Sequence, residues 1–199
     1  MKIVVVGGKG MLGSAVVKEL SPHHEVICAS RKKGDVLCDI SSEESIRAMF
    51  KKVGAVDAVI CTAGKVNFED FSKMTSDKYH VGLNNKLMGQ VNLVLIGSEF
   101  VREKGSFTLI SGIIGLEYVK NGSSAAMVNR GIEGFVKGVC KELPKGIRIN
   151  VVCPTIVSES MKLYGSLFDG FTPVPVSKVA EAFKQSVEGQ ETGQIYTVF

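Results

Sequence analysis

The sequence predicts an α/β protein, a doubly wound parallel sheet in a single domain over residues 1–199. Three observations predict it. The chain opens on a β-branched run, Ile3-Val4-Val5-Val6, which breaks into Gly7-Gly8-Lys9-Gly10-Met11-Leu12-Gly13. Beyond it, apolar runs of strand length alternate with segments of helical periodicity. No internal repeat or low-complexity stretch interrupts the alternation.

The elements follow in order. After the glycines, Leu12, Val16 and Leu20 recur at helical spacing with Met11 and Ala15 beside them, and Ser21-Pro22 stops that helix. Glu25 to Ser30 is the second strand. Only Arg31 to Gly34 separate it from a second apolar piece, Val36 to Ile40, whereas a parallel crossover takes about a dozen residues. The third strand is therefore expected to be short, frayed or differently placed. Ser41-x-x-Glu44 reads as a capping box before a helix whose buried stripe is Ile46, Met49, Phe50 and Val53. Asp57 to Cys61 is the fourth strand. The longest helical pattern runs from about Ser76 to Glu103, and Gly105 is expected to end it. Phe107 to Ile110 is the fifth strand. A helix from roughly Ser123 to Leu143 carries Ala125, Ala126, Gly131, Gly134 and Gly138, small residues that admit another backbone, and Pro144 and Gly146 close it. Ile147 to Val152 is the sixth strand, stopped by Pro154. A helix from about Ser177 to Val187 leads to a last strand at Gln194 to Val198. Between them, Ser158 to Pro173 sets Met161, Leu163, Tyr164, Leu167, Phe168 and Phe171 around Gly165 and Gly170. Such a stretch suits a lid over a ligand pocket, and equally a satellite core or a subunit contact.

Composition narrows the function classes. The net charge of +4 arises from 24 basic residues dispersed among 20 acidic ones, and the largest cluster is Arg31-Lys32-Lys33. That balance gives no support for nucleic-acid binding. Five cysteines, odd in number and without a C-x-x-C, sit mostly in apolar runs, which points to a reducing, cytoplasmic setting. No stretch of about eighteen consecutive apolar residues is present, and the opening apolar run is too short for a signal peptide, so neither membrane nor export is expected. The only histidines are His23, His24 and His80, a poor start for a metal site, and none is expected.

The glycines carry the first functional signal. Gly8 to Gly13 spells G-x-G-x-x-G, a string that chance supplies readily in a chain with 22 glycines. Its setting between a strand and a helix makes it the phosphate-binding start of a dinucleotide site, where glycines admit the pyrophosphate and the helix N-terminus attracts it. A tight turn without a ligand is the bland alternative. At the end of the second strand, about twenty residues on, an acid would hold a ribose 2′-hydroxyl, whereas an Arg accepts a 2′-phosphate. The chain offers Ser30, Arg31 and Lys32 there, with no acid until Asp35, and so favours NADP; the alternative is a solvated basic turn.

In order and spacing the whole chain resembles the short-chain dehydrogenase/reductase family, whose members have a Rossmann fold. The resemblance rests on Gly7 to Gly13, Asp39, Thr62-Ala63-Gly64, Ser111, the helix with Gly134-Phe135, and Pro154. It implies pyrophosphate binding by Gly7, Gly10, Met11, Leu12 and Gly13, an adenine contact at Asp39, and support of the central cofactor by Thr62, Ala63 and Gly64. It further implies a nicotinamide wall at Pro154 and Val157, and carbonyl polarisation by Ser111. The glycines depart from the family's T-G-x-x-x-G-x-G: Val6 replaces the Thr, and Met11 the middle Gly, with Gly10 one place early. By the same resemblance, the two long helices pair subunits into a homodimer or homotetramer.

Catalysis departs further. The family's proton donor is a Tyr tuned by a Lys four residues on, but anchoring on Gly134-Phe135 puts Ala125 and Asn129 at those positions. Counting back from Gly89 puts Lys86 where the family has an Asn, so Lys86 and Asn129 have exchanged residue types. Two classes of function follow. One is an NADP-dependent oxidoreductase acting on a small, apolar carbonyl or alcohol, with Lys86, Tyr118 and Tyr164 as candidate replacements for the lost pair. The other is a weak or inactive NAD(P)-binding sensor. Ser111 and an apolar lid would be superfluous in a sensor, which favours the enzyme, with Ser111, Lys86 and Asn129 as its catalytic set.

Overall fold

The computed structural model describes residues 1–199. Seven strands form one parallel sheet in the order β3-β2-β1-β4-β5-β6-β7. They are β1 (Lys2–Val6), β2 (Glu25–Ser30), β3 (Val36–Leu37), β4 (Val56–Cys61), β5 (Val101–Ile110), β6 (Arg148–Pro154) and β7 (Ile195–Val198). The helices that cover it are α1 (Met11–Leu20), α2 (Glu43–Val53), α3 (Ser76–Gly82), α4 (Met88–Gly97), α5 (Ser123–Val139), α6 (Met161–Tyr164) and α7 (Val176–Glu188). No helix is long and apolar enough to cross a membrane.

Strand alternation builds both layers. In β1, Ile3 and Val5 join the apolar cluster under α1 and α7, while Val4 and Val6 join the larger one under α2, α4 and α5. All four are fully enclosed, each adding about 1.5–3 kcal/mol by burial. Because β1 lies between β2 and β4, the strand order reverses there, and the carboxyl ends of β1 and β4 flank the crevice where such sheets take ligands. As expected from the missing crossover helix, β3 is two residues long and pairs only with the end of β2.

Three local expectations are corrected. The cap of α2 is Ser42, whose Oγ accepts from Ser45 N at 3.1 Å; Ser41 instead donates its hydroxyl to Asp39 at 2.6 Å. The long helical pattern ends at Gly97, not near Glu103. A Cβ at Gly97 would lie 2.8 Å from Phe50 and 2.9 Å from Phe107, so the last residue of the helix must be small to pack there. Glu103 and Gly105 belong to β5, which bulges at Lys104 with φ 59° while Arg102 ties it to Asp57 at 2.9 Å. The small-residue helix, in turn, ends at Val139 and not at Leu143. Between α3 and α4, Leu83–Leu87 form a π-helical turn, continuous with both.

Candidate active site

Two adjoining cavities lie along the carboxyl edge of the sheet. The larger, about 490 Å³, extends from the β1–α1 turn past the ends of β2 and β4. The β1–α1 turn is shaped by Gly7, whose φ of 86° an L side chain rarely adopts. A Cβ there would also meet Thr62 Oγ1 at 2.7 Å and Ala63 N at 2.9 Å. Gly13 packs directly on the Gly7 carbonyl, which draws α1 against the strand. Gly10 caps α1 without any side-chain hydrogen bond, and the first turn carries no acid. The free N–H groups and the helix dipole are thus left for an anion.

Of the residues expected to bind a cofactor, Gly7, Gly10, Ser30, Arg31, Asp39, Thr62, Ala63 and Gly64 line this larger cavity. Leu12, Pro154 and Val157 line its neighbour. Met11, Gly13 and Lys32 line neither. Asp35, the first acid after β2, turns back to accept from Cys28 N at 2.8 Å, so no carboxylate meets the cavity between Ser30 and Arg31. Asp39 does meet it, its pKa lowered by two hydrogen bonds from Ser41. The sequence left Phe68 and Val66 unnoticed on the same wall, because residues 65–70 carry no periodic signal; Asn85, on the polar side of the long helical pattern, lines it too.

The smaller cavity, about 260 Å³, is walled by apolar side chains, among them Ile113, Ile114, Ile156 and Phe168. Lys86 enters it from the π turn. Its stem crosses Gly64 so closely that a Cβ there would overlap it. Its Nζ donates to Asn129 Oδ1 at 2.8 Å and to the Ser111 carbonyl at 3.1 Å. Asn129 is fixed in turn by donating to the Gly112 carbonyl at 3.1 Å. The π turn is itself pinned: the buried Gln90 amide donates to the Lys86 carbonyl at 3.2 Å and exchanges two bonds with Ile110. Burial pushes the Lys86 ammonium down to about 8, and the Glu133 carboxylate opposes this in part.

Ser111 stands differently from expectation. Its hydroxyl donates to Glu133 Oε1 at 2.8 Å and is spent there. The neighbouring position whose side-chain direction faces Asn129 is Gly112, where an added Cβ would lie 3.2 Å from Nδ2. Ser111 therefore reaches Lys86 by its carbonyl alone. Glu133 was missed; an acid among the small residues of the Ser123–Leu143 pattern was its only trace in the sequence.

The tyrosines separate as well. Tyr118 is 85% exposed and lines a different surface pocket, which removes it as a partner of Lys86. Tyr164 lines both cavities and tilts against Phe68, with ring centres 6.3 Å apart. The 158–173 stretch serves two ends. Phe168 closes a small cluster with Ile113, Val119 and Ile156, while Ser160 and Tyr164 wall the ligand space.

A glycine cradle at a strand-order reversal, opening onto an apolar cavity, has the architecture of a dinucleotide-binding protein. The family model described as enoyl-(acyl carrier protein) reductase matches residues 13–196, and the chain belongs to the short-chain dehydrogenase/reductase family. Its fold is similar to that of the protein lin1944 from Listeria innocua, with 44% identity, TM-score 0.98 and full coverage of both chains. It is also similar to a small-chain dehydrogenase solved in complex with NADPH, at 28% identity and TM-score 0.89, over 100% of this chain and 96% of that one. Among curated proteins, the 3-oxoacyl-[acyl-carrier-protein] reductase MabA of Mycobacterium avium is 24% identical over 173 residues, covering 80% of this chain and 68% of its own. The protein is an NAD(P)-dependent oxidoreductase.

Proposed function

We propose that the protein reduces a small, apolar carbonyl compound with NADPH, and that Lys86 supplies the proton. The observation that carries this reading is the Lys86 ammonium, hydrogen-bonded to Asn129 and Ser111 at the edge of an apolar cavity. A proton donor works best with a pKa near the working pH, and burial brings this lysine to about 8. Support for NADPH comes from Arg31 on the cavity wall and from the inward turn of Asp35. The NADPH-bound relative supports it too.

The residues fit a dinucleotide. Gly7 and Gly10 would leave the pyrophosphate room that a Cβ would fill, Arg31 would meet a 2′-phosphate, Thr62 to Gly64 would hold the central part, and Pro154 and Val157 would bound the inner end. When bound, the nicotinamide supplies a hydride. Lys86 gives its proton to the substrate oxygen and is left as a neutral amine, which solvent reprotonates. Asn129 Oδ1 and the Ser111 carbonyl accept from two of the three ammonium protons, leaving the third for the substrate oxygen. Ile113, Ile114, Ile156 and Phe168 exclude water and select an apolar substrate. The named ketone-reducing relative acts on a 3-oxoacyl group, which supports a carbonyl as the group reduced.

The reading extends to a homodimer or homotetramer in a reducing, cytoplasmic compartment. It is supported by Met88, Leu95 and Met127, exposed on α4 and α5, and by five free thiols. The test is NADPH oxidation against a panel of small ketones and aldehydes. Turnover by the wild type and its loss in Lys86→Met, with NADPH affinity kept, is the expected result; equal turnover by the two contradicts it.

A further inference from the structure

A buried carboxylate beside the site has no part in the reaction as described. Glu133 is 3% exposed, one helical turn beyond Asn129 on the same face of α5. Its Oε1 accepts from Ser111 Oγ at 2.8 Å, and its Oε2 pairs with Arg130 Nη1 at 2.6 Å. Ser111 in turn offers its carbonyl to Lys86 Nζ. Glu133 thus stands directly behind one of the two acceptors that hold the lysine. Burial of a charged pair costs free energy, and one partner here reaches solvent: the Arg130 side chain is 54% exposed.

The groups that face Lys86 are few. Cys61 comes from β4, Cys153 from β6 and Glu133 from α5, with Tyr164 on the cavity wall. Burial pushes the two thiols up to about 12 and about 11, so both are neutral in the range where Lys86 titrates. Glu133, with Arg130 behind it, is the charged neighbour that remains.

We propose that the Glu133–Arg130 pair is a positioning and tuning element for Lys86: the carboxylate holds Ser111 in place and raises the lysine's affinity for its proton, and Arg130 offsets part of that charge. The two members then have opposite effects. Removing the Glu133 charge leaves Lys86 a weaker base, and removing the Arg130 charge leaves it a stronger one. A merely structural role for the pair has no reason to produce shifts of opposite sign. The effect on turnover rests on the proton-donor role proposed above; the effect on Lys86 itself does not.

The test is a proton-carbon NMR titration of the full chain carrying 13C-labelled lysine, the Lys86 Cε signal being assigned by its loss in Lys86→Arg. Glu133→Gln is expected to lower the Lys86 midpoint by about half a pH unit or more, and Arg130→Gln to raise it. Circular dichroism checks each fold; if Glu133→Gln does not fold, the surface variant Arg130→Gln decides alone, a raised midpoint supporting the proposal and an unmoved one overturning it. Midpoints unmoved, or moved in the same direction, in both variants overturn the tuning role and leave the proton-donor reading standing. Midpoints that separate as expected, while the pH profile of reduction fails to follow, uphold the tuning role and overturn the proton-donor reading.

Discussion

The two halves of the cleft are built on different kinds of atom. Around β1, α1 and the ends of β2 and β4, the cavity is made largely by backbone: Gly7 at positive φ, an uncapped helix start at Gly10, and the turn at Thr62 to Gly64. Around α5 and the π turn its polar wall is made by side chains from separate elements, Lys86, Asn129 and Ser111, with Gln90 and Glu133 behind them. Backbone sites tolerate changes of side chain so long as the glycines stay. Side-chain sites do not, yet they permit an exchange: here the cation enters from the π turn, and α5 carries the amide.

Loss of the Lys86 proton should therefore weigh most. Lys86→Met is expected to slow reduction by about 100-fold or more, the usual contribution of a positioned general acid, with little change in NADPH affinity by fluorescence titration. Gly64→Ala joins the two halves, because its Cβ enters the space of the Lys86 stem at a φ of 154°. It is expected to lower kcat by about tenfold or more through displacement of the ammonium.

That second variant shows why the site was only half legible. The β1 run, the glycines, Arg31 and Thr62 to Gly64 are contiguous strings whose meaning depends on local backbone, and the sheet followed from them. The exchange of Lys86 with Asn129 was countable from Gly89 and Gly134. Nothing in the string showed that Ser111 turns its hydroxyl to Glu133 while Gly112 faces Asn129, since both depend on which way one turn of chain rotates. The end of the long helix was misplaced because Arg102 to Lys104 suit a polar helical face, whereas the chain from Val101 joins the sheet as β5 beside β4.

The backbone half should respond to charge. Arg31→Asp is expected to weaken NADPH relative to NADH by about tenfold or more, measured as the ratio of the two dissociation constants. A smaller effect is expected at Tyr164, which walls both cavities: Tyr164→Phe should change kcat by less than about threefold if the lysine alone gives the proton.

The pH dependence has a defined sign. For Lys86 as the proposed proton donor, the ammonium is the working form; burial brings it to about 8, so kcat for reduction is expected to be flat below that point and to fall above it.

Lys86→Arg separates charge from proton most directly. The guanidinium keeps a cation at this position in the smaller cavity but does not deprotonate in this range. Single-turnover reduction by NADPH, followed at 340 nm for wild type and Lys86→Arg with both proteins saturated, isolates the chemical step. A fall of about 100-fold or more, with NADPH still bound, is the result predicted for Lys86 as proton donor. Reduction at the wild-type rate would show that the cation, and not its proton, is what the site needs.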